Sequence, residues 1–163
     1  MEKDIQKEFE SSLGGSITLA ILPNSKYGEM ERSILKLLLK KSKSYGAYLA
    51  INRPYASLTK VMEKNGIDTK KLLFLDCVTG RSSKVANCVF VRSAESLTNI
   101  GIALENVYKN KKISFIVIDS LDALSVYHST NNILRFARSE IERMRENEKS
   151  AVILLSYDET DKK

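Results

Sequence analysis

Histidine and cysteine are scarce in this chain of 163 residues: one histidine and two cysteines. Cys77 and Cys88 stand too far apart for a C-x-x-C metal or redox pair. Both sit beside apolar residues and are expected as buried thiols. His128 lies in the polar run Tyr127-His128-Ser129-Thr130, with no cysteine or second histidine nearby. That setting describes a surface imidazole, not a metal ligand or a base. No apolar run approaches the roughly 20 residues that would span a bilayer. The N-terminus is polar and of mixed charge, unlike a secretory signal, so the cytoplasm is the default location. Internal repeats, low-complexity tracts and domain-dividing linkers are absent from the sequence.

What remains is an ordinary globular composition, 43% hydrophobic and 28% charged, with a formal net charge of +6. One domain with a single substantial core is expected. The basic excess permits contact with nucleic acid or an anionic surface without demanding it. Short apolar runs fall at 17–22, 47–51, 72–78, 89–91, 113–118 and 151–155. Between them, apolar residues recur at helical spacing. Met30, Ile34, Leu37 and Leu38 make one stripe, and Tyr55, Leu58, Val61 and Met62 a second, stopped by Asn65-Gly66. Leu97, Ile100, Leu104 and Val107 make the third. Ile133, Ala137, Ile141 and Met144 make the fourth, with Ser129 or Thr130 as its cap. This alternation predicts an α/β sandwich of three layers, a mostly parallel sheet between helices. Ile5, Phe9 and Leu13, followed by Gly14-Gly15, predict a short leading helix over 1–15 before a core domain over 16–163.

The run Ile113-Ser114-Phe115-Ile116-Val117-Ile118-Asp119-Ser120 is a buried strand ending in an acid. P-loop ATPases hold Mg²⁺ beside a nucleotide with such an aspartate. Their second element is a turn G-x-x-x-x-G-K-[ST] after an earlier strand. Here the strand at 17–22 leads into Leu22-Pro23-Asn24-Ser25-Lys26-Tyr27-Gly28-Glu29. The glycine, glycine, lysine and hydroxyl positions hold Leu22, Tyr27, Gly28 and Glu29.

The order of elements and the I-D-S stretch resemble the RecA superfamily, and within it the KaiC-like branch common in archaea. The resemblance covers about residues 14–157. It implies a RecA-like sheet in which one strand separates the Asp119 strand from the first strand. It assigns Asp119, followed by Ser120, to the Mg²⁺ side of a nucleotide site, and Ser25 and Lys26 to the remnant of the phosphate loop. That loop departs from the family. Pro23 has no N–H to offer a phosphate, and Lys26 falls two positions before the family's lysine. Glu29, with Glu31 close behind, brings negative charge to the positive helix end where a phosphate would sit. The glutamate that the family places after the second strand is replaced by Asn52 and Arg53. The expectation is a pseudo-ATPase without catalytic residues, cofactor or metal, acting by binding a protein partner or its own copies. An intact relative is one such partner. Two alternatives stand beside it: a divergent ATPase using Lys26 and Asp119, and a DNA-binding accessory protein resembling the recombinase paralogues.

Lys36, Lys40, Lys41 and Lys43 suit the C-terminal end of a helix. Arg135, Arg138, Arg143 and Arg145 alternate with Glu140, Glu142 and Glu146, which reads as a solvated face. The loop Arg81-Ser82-Ser83-Lys84 is the candidate DNA contact, although it lacks aromatic residues for stacking.

Overall fold

The computed structural model describes residues 16–41, 45–80 and 84–161, together with Lys7. The leading helix expected over 1–15 (Lys7 apart), Lys43 and Arg81 lie outside the described residues. Six strands form one sheet: β1 (Ile17–Pro23), β2 (Tyr45–Ala50), β3 (Leu72–Asp76), β4 (Cys88–Phe90), β5 (Ile113–Asp119) and β6 (Ser150–Tyr157). Four helices connect them: α1 (Tyr27–Lys41), α2 (Tyr55–Lys64), α3 (Leu97–Lys109) and α4 (Thr130–Glu146). The strand order is β1-β6-β5-β2-β3-β4. Every pairing between these strands is parallel. β6 therefore separates the β1 and β5 strands, as the resemblance implied.

The strands form where they do because both sheet faces are covered, which permits consecutive apolar residues. On one face, Leu35, Leu38, Leu58 and Met62 of α1 and α2 meet Tyr48, Phe74, Val117 and Leu154. On the other, Ile100, Leu104, Phe136 and Met144 of α3 and α4 meet Leu49, Ile116, Ile118 and Ile153. α2 ends at Asn65-Gly66, where Gly66 takes φ +74°, a conformation glycine adopts without strain. Ser129 caps α4 by accepting from the Asn132 N–H. Cys77 and Cys88 are free and buried, and burial pushes both thiols up to about 12.

Two expectations need correction. The α4 charges are not all solvated, because Glu140 is only 4% exposed and accepts from the Tyr108 hydroxyl at 2.7 Å. Gly101, on the facing helix α3, lies against this carboxylate at ordinary contact distance, so a Cβ there would also fit, 3.5 Å from Glu140 Oε1. His128 is half-buried rather than a free surface imidazole, with Nε2 3.0 Å from the Ala94 carbonyl.

Candidate functional site

The carboxyl ends of β1, β2 and β5 lie at one edge of the sheet, the edge at which open parallel α/β sheets bind ligands. Asp119 ends β5 with 1% of its surface exposed, and the Asp119–Ser120 peptide bond is cis. Ser120 is buried beside it. Tyr27, the first residue of α1, donates its hydroxyl to Asp119 Oδ1 at 2.5 Å. Tyr48, inside the neighbouring β2, places its hydroxyl 2.6 Å from Asp119 Oδ2. Arg53, just beyond β2, donates from Nη2 to that same oxygen at 2.6 Å. Both oxygens of Asp119 are engaged by the chain itself.

The second carboxylate of the cluster is Glu31, only 1% exposed. Its Oε1 lies 2.6 Å from the Tyr48 hydroxyl. Its Oε2 lies 2.8 Å from Arg53 Nη2, an ion-pair contact without good hydrogen-bond direction. One guanidinium nitrogen thus sits between two buried acids. The expectation that Glu31 serves the exposed start of α1 is corrected: it turns inward, and Glu29 alone supplies acid to that first turn.

Burial, aided by the like charge of Asp119, holds the Glu31 carboxyl above its ordinary range against the opposing pull of Arg53. Burial and the neighbouring carboxylates also raise both tyrosine hydroxyls, which remain protonated donors. For Arg53, burial acts to lower its pKa, but Asp119, Tyr48 and Glu31 override it and hold the guanidinium charged. The Tyr48 hydroxyl has one proton and two carboxylate oxygens at 2.6 Å, so Glu31 and Asp119 share this single donor.

The loop between β1 and α1 is a 3-10 turn over Asn24–Lys26. Ser25 and Lys26 are exposed there and do not reach Asp119. Ser25 instead gives its hydroxyl to Glu159 Oε1 at 2.5 Å and its backbone N–H to Glu159 Oε2 at 3.3 Å. A carboxylate 134 positions further along the chain therefore takes both hydrogen bonds that Ser25 donates. Lys84 is exposed, on a loop away from this cluster. Among the described residues, no group of three or more His, Cys, Asp or Glu side chains is arranged to hold a metal ion. No described helix is long and apolar enough to cross a membrane.

Asp119 and Ser120 are legible in the sequence but their partners are not: Arg53 reads only as a residue of the wrong charge where the family has a glutamate, and Tyr48 as part of an apolar strand. One signal was available: Tyr48 is a polar-tipped residue inside a buried run, and a buried tyrosine hydroxyl needs a partner.

The arrangement is a parallel α/β sheet covered by helices on both faces, a RecA-like fold. A KaiC-like protein from the hyperthermophilic archaeon Pyrococcus horikoshii shares the fold, with a TM-score of 0.66 at 15% identity. The superposition covers 88% of this chain and 64% of that one, so this chain spans less than two thirds of its structural neighbour. At that identity the likeness establishes the fold alone. No family profile matches the sequence, and no curated protein matches it.

Proposed function

We propose that this protein is a non-catalytic RecA/KaiC-like module, a pseudo-ATPase that works by binding another protein or its own copies. The observation that carries the reading is Arg53 between Glu31 and Asp119. In the family that the sequence resembles, the aspartate at this strand end faces a hydrated cation. Here its oxygens are taken by a guanidinium and two tyrosine hydroxyls. Opening them to a metal would set a second cation beside the half-buried Arg53 guanidinium and break charge-assisted bonds. The degenerate loop supports the same reading, since Pro23 offers no N–H and Ser25 is bonded to Glu159. The partner is a cytoplasmic protein, an intact relative or a second copy of this chain.

Calorimetric titration with Mg·ATP and Mg·ADP tests the reading. The expected result is no binding up to about 1 mM, a free energy of only about −4 kcal/mol. Micromolar binding that Asp119→Ala abolishes would overturn it and restore a divergent ATPase.

A further inference from the structure

We propose that the groove between α3 and α4 binds a small zwitterion with an apolar body, of the class of the apolar α-amino acids, held by Glu140 and Arg143. The groove shares no residue with the Asp119 cluster, so this site stands or falls apart from the nucleotide reading.

The two helices leave a groove of about 450 Å³ between them, within the range of about 300–1,000 Å³ usual for small-ligand sites. Leu97, Ile102 and Phe136 give it an apolar wall. Ile102 is 56% exposed, so part of that wall is bare apolar surface.

The chemistry lies in Glu140, a buried acid that lines this groove. The Tyr108 hydroxyl donates to Oε2. Oε1 lies against Gly101 and receives no hydrogen bond from the described residues. A buried carboxylate oxygen without a donor is costly, and a ligand that brings one recovers that cost. Burial holds the Glu140 carboxyl above its ordinary range although Tyr108 and Arg143 pull it down. The ionised group is thus short of counter-charge within the chain.

The charges around the groove select the ligand. Glu105 lines it too, but is already bonded to Lys109 at 2.7 Å. Arg143, three residues past Glu140, lines the groove and is exposed. It forms no ion pair with the described residues, and acts on Glu140 only through its field. A simple amine would satisfy Oε1 but meet the Arg143 charge. A simple anion would suit Arg143 but meet Glu140. A molecule with both charges suits both: its ammonium donates to Glu140 Oε1, and its carboxylate accepts from the Arg143 guanidinium. Its apolar body covers Ile102 and Phe136, removing their surface from water.

Amide chemical shifts of the full chain, titrated with L-leucine, 3-methylbutylamine and 4-methylpentanoate, test the site. The second probe is leucine without its carboxylate, and the third is leucine without its ammonium. Leucine should move the signals of α3 and α4 around Gly101 and Ser139, with a dissociation constant below about 1 mM. Each analogue should bind at least about tenfold more weakly, as the loss of a hydrogen bond to a charged group implies. Glu140→Gln keeps an oxygen for Tyr108 and should weaken leucine by a similar factor. Ser139→Phe fills the groove from an exposed position, without touching the core, and should abolish binding even where Glu140→Gln fails to fold. The proposal is overturned by an absence of leucine-induced shifts on these helices, or by an analogue that binds as tightly as leucine. Undiminished binding to either folded variant overturns it as well.

Discussion

Arg53 Nη2 lies 2.6 Å from Asp119 Oδ2, joining a loop after β2 to the end of β5. The strands are neighbours, with Ala50 in register with Asp119, so the bridge spans adjacent strand ends. Its consequence is that the acid most expected to face a cation already faces one, and that cation is covalently part of the chain.

Removing that cation should be costly. Arg53→Ala leaves Asp119 buried beside Glu31 without a counter-charge; breaking a fully buried pair costs about 3–5 kcal/mol, and solvent at the 32% exposed Arg53 side chain sets the loss toward or below the lower end. Urea unfolding at neutral pH measures it. A loss below about 1 kcal/mol, the scale of a surface pair, would mean that Arg53 does not hold the cluster together.

Glu31 gives a pH signature. Its folded pKa is raised by burial and by Asp119, so the folded state binds the proton more tightly than the unfolded chain. The associated stability is full below the ordinary glutamate range and is lost as pH rises through the raised value. Glu31→Gln mimics the protonated acid, since its amide can donate to Tyr48. The variant should track the wild type in mild acid and gain on it as pH rises. Unfolding free energies across that range give the comparison, and parallel curves would refute a raised Glu31 carboxyl.

Asp76 should behave in the opposite sense. It ends β3 and accepts from the N–H groups of Tyr55, Val78 and Thr79 and from the Thr79 hydroxyl. Through Tyr55 it caps α2, whose preceding residue Pro54 provides no side-chain cap. Although burial acts to raise it, these bonds lower its pKa below the usual aspartate value. Its stabilisation is therefore present above that range and lost as pH falls through the depressed value. Asp76→Ala should cost at least about 2 kcal/mol at neutral pH, and the deficit should shrink in acid. A deficit that stays constant down to the lowest foldable pH would argue against an ionised cap.

Gly46 and Phe115 are cross-strand partners on β2 and β5. A Cβ at Gly46 would lie 2.1 Å from the tip of the Phe115 ring, inside any van der Waals contact. Gly46→Ala should destabilise by about 3 kcal/mol, toward the upper end of overpacking. In the Phe115→Ala background the same change should be nearly free. A double-mutant cycle reads the coupling directly, and additive effects would show that the ring does not fill this space.

The sequence by itself determined the order and type of the elements between β1 and β6. Strands such as Ile113–Asp119 are continuous apolar runs because helices cover both faces, and that burial is written residue by residue. The helical stripes are legible for the same reason: each needs only local spacing to be seen. Asp119 was legible too, as an acid closing an apolar strand. Only the tertiary structure decided what that acid does. Tyr27, Glu31, Tyr48 and Arg53 come from α1, β2 and the loop beyond it, and Tyr27 and Asp119 stand 92 positions apart. No spacing rule links them. Strand order and the inward turn of one side of α1 bring them together. The burial of Glu140 is illegible for a related reason: its place in a charged helix suggests solvent, while Tyr108, on another helix, gives it a buried hydrogen bond. Local pattern sets which residues are buried, whereas the pairing of buried charges depends on which elements become neighbours.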